Sequence, residues 1–225
     1  FDARANPADF DMLRQALADN PGVTFAARRL KCGWGEWSLV AATLEAVRAA
    51  VRAFPSATHF YMLSGDCMPI KSAAYTHEFL DAHDLDYIEN FDFFESDWIK
   101  TGFKEERLIY RHFFNERTQA RLFYGSYELQ KRLGLTRQVP SDIQVMIGSQ
   151  WWCLTARTLR AILSDPRRAE FDRYFRRVWI PDESYFQTLV RCHSVHVESR
   201  SLTLAKFDAQ GKPYVFYDDH LALLA

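Results

Sequence analysis

With 225 residues, 48 % of them apolar, the chain can bury a sizeable core and is too apolar to remain disordered. Its 28 Lys and Arg nearly cancel its 29 Asp and Glu, and the resulting charge of −1 excludes a global field for nucleic acid or an anionic membrane. No apolar run approaches the roughly 18 to 20 residues of a membrane helix, and the opening FDARANPADF lacks the basic and apolar sections of a signal peptide. Any anionic ligand must therefore be met by a local cluster. Aromatic residues, 15 % of the chain, serve equally as core filler and as stacking platforms for sugars or bases. Cys32, Cys67, Cys153 and Cys192 lie far apart without CxxC spacing, which predicts reduced, mostly buried thiols in a cytoplasmic protein. The Ala- and Arg-rich usage points to a bacterial source.

In chain order, FDARA reads as the end of a strand, and ADFDMLRQALAD as a helix after an Asn-Pro start. A strand at VTFAA is followed by a helix over WSLVAATLEAVRAAVRAF, capped by Ser38 and stopped before Pro55. HFYMLSG is a buried strand opening into the loop SGDCMPIKS at 64–72. AYTHEFLDAH is a further helix and LDYIENF a further strand. This alternation predicts an α/β domain with a parallel sheet covered by helices, in which ligands collect at the carboxyl ends of the strands. Residues 91–140 mix charged and aromatic side chains with weak periodicity, as in a long inserted loop with one or two short helices that carries binding groups. IGSQWWCLTARTLRAIL is a short strand and a helix capped by Thr155, RYFRRVW at 173–179 a basic and aromatic turn region, ESYFQTLVRC a helix and SVHVES a last strand. No linker or repeat divides the chain, so a single domain over 1–225 is expected.

The adjacent acids of WIPDESYF have two readings. Pro181 suits a first helical turn, where Asp182 and Glu183 would complement the helix dipole. Alternatively, one carboxylate in apolar surroundings acts as a general base. SGDCMPIKS is either an ordinary turn around Gly65 and Pro69 or a loop that meets phosphate or ribose, but it is neither a Walker loop nor GxGxxG. The seven His show no metal-site spacing, and neither GxSxG nor a Cys in a nucleophile context is present. Trp151 and Trp152 are core or pocket wall, and Trp34, between two glycines, is placed to stack.

Taken together and in order, FDAR, KCGWGEWSLVAATL, HFYMLSGDCMPIKS, FKEER, IGSQWWCLTARTL and WIPDESYFQTLV resemble the core-2/I-branching family of β-1,6-N-acetylglucosaminyltransferases, which also contains the peptide O-xylosyltransferases. The resemblance spans residues 1 to about 192. It implies a GT-A-like, Rossmann-related fold with a mostly parallel sheet, a UDP-sugar donor carrying GlcNAc or else xylose, and inversion at the anomeric carbon. It also implies a glycan or polysaccharide acceptor and no metal cofactor, because basic side chains stabilise the leaving UDP in place of an ion on a DxD triplet. HFYMLSG is indeed followed by Gly65, Asp66 and Cys67 rather than DxD.

By the same resemblance Glu183 matches the catalytic base. Asp2 contacts the uracil or ribose, Trp34 lies beside the uridine, and Gly65 and Asp66 belong to the donor loop. Lys206 of LAKFD or Lys212 binds the diphosphate with Arg200. Glu106, with Glu105 as its alternative, holds the acceptor sugar, and Trp151 and Trp152 flank it. Since FDAR ends the second strand in the family, the first strand is expected outside this sequence, as is any part that associates with a membrane. A metal-dependent GT-A transferase of another family would need an acidic triplet; a non-catalytic sugar-nucleotide or glycan-binding module would bind UDP without turnover.

Overall fold

Helices pack apolar faces against a small mixed sheet. A computed structural model describes residues 1–100, 102–208, 213–220 and 223. Helix α1 (Pro7–Ala16) starts where Asn6 Oδ1 accepts the amide of Ala8 at 3.1 Å. Helix α2 (Trp37–Ala53) buries Val40, Leu44 and Val47, spaced for one face, and ends ahead of Pro55 as expected. Ser38 does not cap it. The helix begins one residue earlier, and Ser38 Oγ instead accepts the amide of Gly33 at 2.9 Å. Helix α3 (Ala73–Ala82) is capped by Ser72, and α6 (Ala156–Ser164) by Thr155, whose hydroxyl accepts the Thr158 amide at 3.2 Å. Between them lie α4 (Glu106–Ile109) and α5 (Ala120–Arg132). Helix α7 (Arg168–Phe175) reaches into the stretch expected to be turns, because Phe171 and Phe175 share one buried face. Helix α8 (Tyr185–His193) is buried from Tyr185 to Val190 and forms the centre of the core.

The strands are β1 (His59–Tyr61), β2 (Asp86–Ile88), β3 (Phe91–Asp92), β4 (Met146–Ile147), β5 (Trp152–Thr155) and β6 (Val197–Glu198). The main sheet has the order β1-β5-β2-β6. β1, β2 and β6 run in one direction and β5 runs against them, with Tyr61 opposite Cys153 and Tyr87 opposite both Cys153 and Glu198. The fold is therefore a mixed α/β sheet flanked by helices, of GT-A-like kind. Asp86, 1 % exposed, ties it together: its carboxylate accepts the Thr155 amide at 2.7 Å and the Thr158 hydroxyl at 2.6 Å. A buried carboxyl is tolerated here because each oxygen has a donor.

Several expected strands differ. Neither FDARA nor VTFAA is a strand. One amide bond, Ala3 to Leu30 at 2.9 Å, joins that region, while the carbonyls of Asp2 and Ala5 accept from the Arg29 guanidinium at 2.8 and 3.1 Å instead of from a neighbouring strand. β1 pairs only with β5 and is half-buried rather than buried. LDYIENF and IGSQWWCLT each split in two, and β3 pairs with β4 in a separate two-stranded sheet. The split is sharp because Gly148 passes so close to Glu89 that a Cβ would lie 1.9 Å from the Glu89 carbonyl oxygen. All four cysteines are unpaired, but only Cys153 is buried, its thiol pushed up to about 12 by desolvation, and Cys192 is exposed. Among the described residues no helix is long and apolar enough to cross a membrane.

Candidate active site

The two acids of WIPDESYF do not open α8. Pro181–Glu183 form a separate 3-10 turn, with Ser184 between it and the helix. The turn is entered through Ile180 at φ 54°, a left-handed conformation that costs a β-branched residue about 1–3 kcal/mol. Its surroundings fix it there. The Ile180 amide bonds the Gly35 carbonyl at 3.0 Å, and the Gly148 amide bonds the Glu183 carbonyl at 2.9 Å. Gly35 has φ 68°, and a Cβ there would lie 3.2 Å from Trp179 Nε1, so glycine is required on two counts.

Glu183 sits in a recess with 32 % of its side chain open. Arg107, 9 % exposed, reaches it from α4 with Nη1 3.0 Å from Glu183 Oε2. The guanidinium is itself held, since its Nε donates to the Phe103 carbonyl at 2.9 Å and Cζ lies 5.2 Å from the Trp179 ring centroid. Desolvation raises the Glu183 pKa above the ordinary carboxylate value, and Arg107 together with a hydrogen bond from Trp98 pulls it partly back. The result is a carboxylate that can exist as an anion and still accept a proton readily.

Its neighbour Asp182 is held differently. Desolvation first, and the Glu183 charge second, push its pKa up to about 7. Its Oδ1 is buried without a hydrogen-bond partner, next to a small cavity lined by Thr43, Met62, Gln150 and Phe186. Other buried unpartnered atoms, Trp179 Nε1, Ser184 Oγ and Gln187 Oε1, lie on the same stretch of chain.

The turn stands at the carboxyl end of the parallel strands. Past β2, Glu89 Oε2 accepts the Ser149 amide at 3.2 Å, and the Asn90 amide bonds Ser199 Oγ, beyond β6, at 2.9 Å. Past β1, the Met62 amide bonds the Trp152 carbonyl at 2.8 Å, and Tyr61 OH meets Thr203 Oγ1 at 2.8 Å. The loops after β1, β2 and β6 thus gather around the turn that carries Glu183, as an α/β site requires. The family model for the Core-2/I-Branching enzyme matches residues 1–221.

The chain belongs to that family.

No curated protein sequence matches it. Membership makes the Core-2/I-Branching chain a glycosyltransferase, with a sugar donor and an acceptor as its ligands.

The remaining residues singled out in this Core-2/I-Branching sequence are placed unevenly. Asp2 is loaded with donors: the Arg4 amide at 2.7 Å, the Arg4 guanidinium and the Cys32 amide at 2.9 Å, with Arg4 holding its pKa below the usual carboxylate range. In this state it clamps the chain start to residue 32. Trp34 is 39 % exposed and turns toward Arg117, whose Cζ is 3.9 Å from the ring centroid, and toward Trp179 at 6.0 Å. It lines a cavity of about 220 Å³, and neither Asp2 nor Glu183 lines that space. Gly65 has open space around its Cα, and Asp66, exposed, has its amide on Ser64 Oγ at 3.2 Å.

Arg200 pairs with Glu198 and lies 5.4 Å from the Tyr87 ring, half exposed at the end of β6. Lys206 is exposed, with Nζ 5.5 Å from the Tyr214 ring. Lys212 lies outside the described residues. Glu105 is exposed; Glu106 accepts the Lys104 amide at 3.1 Å. Trp152 is 2 % exposed and packs on Phe186, with ring centroids 5.0 Å apart, so it is core rather than an acceptor wall. Trp151, one residue outside β5, is half-buried.

Sequence reasoning missed Arg107, Trp98 and Asp182 as parts of one electrostatic unit. Arg107 ends the quoted FKEER stretch, and a cation beside acids on a short helix was the available signal. Its pairing with an acid 76 residues away has no sequence signature.

Proposed function

We propose that the chain transfers N-acetylglucosamine, with xylose as the second choice, from a UDP-sugar to a glycan hydroxyl by one inverting displacement without a metal ion. The observation that supports this most is Glu183, a recessed carboxylate with a raised pKa, paired to Arg107 at 3.0 Å and still partly open at the carboxyl ends of the strands. In the step, the acceptor hydroxyl gives its proton to Glu183 as its oxygen bonds the sugar C1. The bond from C1 to the diphosphate breaks on the opposite face, and UDP leaves with the electron pair. A positioned base of this kind is worth about 10²–10⁴-fold in rate.

Charge growing on the diphosphate needs cations. Arg200 at the end of β6 is one. Lys206 is the other, three residues beyond the Thr203 that β1 holds through Tyr61. Metal independence rests on the loop after β1, whose sequence Ser64-Gly65-Asp66-Cys67 offers one acid where a DxD triplet offers two. Residues 91–140, which supply Arg107, Glu105 and Glu106, shape the acceptor side together with Trp151. The setting is polysaccharide biosynthesis in a bacterial cytoplasm.

The test is transfer from UDP-GlcNAc and from UDP-xylose to a panel of glycans, with EDTA or with Mn²⁺. Activity retained in EDTA and faster with UDP-GlcNAc is expected. Activity abolished by EDTA points to a metal-dependent transferase, and UDP binding without turnover to a binding module.

A further inference from the structure

The cavity beside Trp34 is lined by neither Glu183 nor Asp2. Trp34, Trp37, Phe113, Glu116, Arg176 and Arg177 frame its space of about 220 Å³. Trp34 is 39 % and Phe113 50 % exposed, so both rings meet solvent. Guanidiniums are laid over these rings: Arg176 at 5.8 Å from Trp37, Arg177 at 4.8 Å from Phe113 and Arg117 at 3.9 Å from Trp34. None of these arginines forms an ion pair with a carboxylate among the described residues, so their donor forks are unspent. The acids at the rim are engaged by hydroxyls instead, Glu116 by Tyr124 at 3.1 Å and Glu36 by Ser38 at 3.3 Å. The basic and aromatic run RYFRRVW, which has no part in the displacement, supplies one wall.

This chemistry selects a ligand class. Aromatic faces take the C–H face of a pyranose, and guanidinium forks match a carboxylate bidentately. Glu36 and Glu116 accept hydrogen bonds from sugar hydroxyls, and their charges oppose a dianionic phosphate group more strongly than they oppose a single carboxylate. The space is also close to the site proposed for the chemistry, because Trp179 lines it and carries the Arg107 guanidinium at 5.2 Å, and Arg107 bonds Glu183. We propose that this cavity binds a carboxylate-bearing sugar ring, of the hexuronate class, belonging to the acceptor glycan; its role as an acceptor subsite rests on the transferase function proposed above, but its binding of uronate does not.

The experiment titrates the full chain, without donor, with tetragalacturonate and with neutral cellotetraose, reading tryptophan fluorescence and calorimetric heat. Tetragalacturonate is expected to bind at least tenfold more tightly, with an affinity that weakens as salt rises. The double variant Arg176→Gln with Arg177→Gln is expected to lose at least tenfold for tetragalacturonate and to keep its UDP affinity and Tm. Phe113→Ala, at an exposed position, is expected to weaken tetragalacturonate binding without unfolding. Equal affinity for the two oligosaccharides, or wild-type uronate binding by the double variant, overturns the proposal. Because no donor is present, a chain that binds uronate yet transfers no sugar would contradict the transferase function alone.

Discussion

The turn at Pro181–Glu183 and the loop at 63–72 meet at one edge of the sheet, where Met62 and Asp182 line the same small cavity, yet they are held in opposite ways. The turn leads into a helix buried from Tyr185 to Val190, and its backbone is bonded to Gly35 and Gly148. The loop leaves Leu63, Met68 and Ile70 at 46, 76 and 45 % exposure, and Gly65 has nothing within 4 Å of a would-be Cβ. Glu183, the proposed base, is thus held by the core, at the cost of a left-handed Ile180 and an unpartnered Asp182 oxygen, while the loop beside it stands open to solvent.

That contrast can be broken first at the core. Phe186→Ala removes a side chain 3 % exposed behind the acids and should cost about 3–5 kcal/mol in denaturant unfolding. A loss under 1 kcal/mol would mean that the turn is not core-supported. Arg107→Gln leaves the recessed Glu183 unpaired and should cost about 1–3 kcal/mol, less than a fully buried pair because Glu183 is partly open. With Arg107 gone, the lowering influence on Glu183 goes too, so the acid limb of kcat/KM should move to higher pH.

Asp182 gives a signed stability effect. Its folded pKa of about 7 lies above its ordinary 3.8, so the folded state binds the extra proton, and the stability this confers is complete below about pH 4 and lost as pH rises through 7. Asp182→Asn should remove that slope from a series of unfolding curves and raise stability at pH 8 by about 1–3 kcal/mol. An unchanged slope would show that Asp182 ionises as freely as in water. At the loop, Met68→Ala should stay within about 0.5 kcal/mol of wild type, as expected for an exposed side chain.

The parts of the fold legible in the sequence were those set by neighbours along the chain. Asn6 and Thr155 cap their helices, and Pro55 stops α2, because capping and proline effects act over a few residues. Ser38 shows the limit: its hydroxyl had a second use, on Gly33, that local pattern does not reveal. At FDARA the strand pattern was present, but Arg29 took the carbonyls of Asp2 and Ala5. At the site, the resemblance pointed to Glu183, and the structure adds its surroundings. The Arg107 pair, the buried unpartnered oxygen of Asp182, and the core position of Trp152 depend on contacts between distant segments.

The most direct test of the account is Glu183→Gln, assayed at saturating UDP-GlcNAc and acceptor alongside UDP affinity and Tm. The substitution keeps the shape of the side chain and removes the proton acceptor. A fall in kcat of about 10²–10⁴-fold with UDP binding and Tm unchanged is predicted. A variant that transfers sugar at the wild-type rate would contradict the assignment of Glu183 as the base.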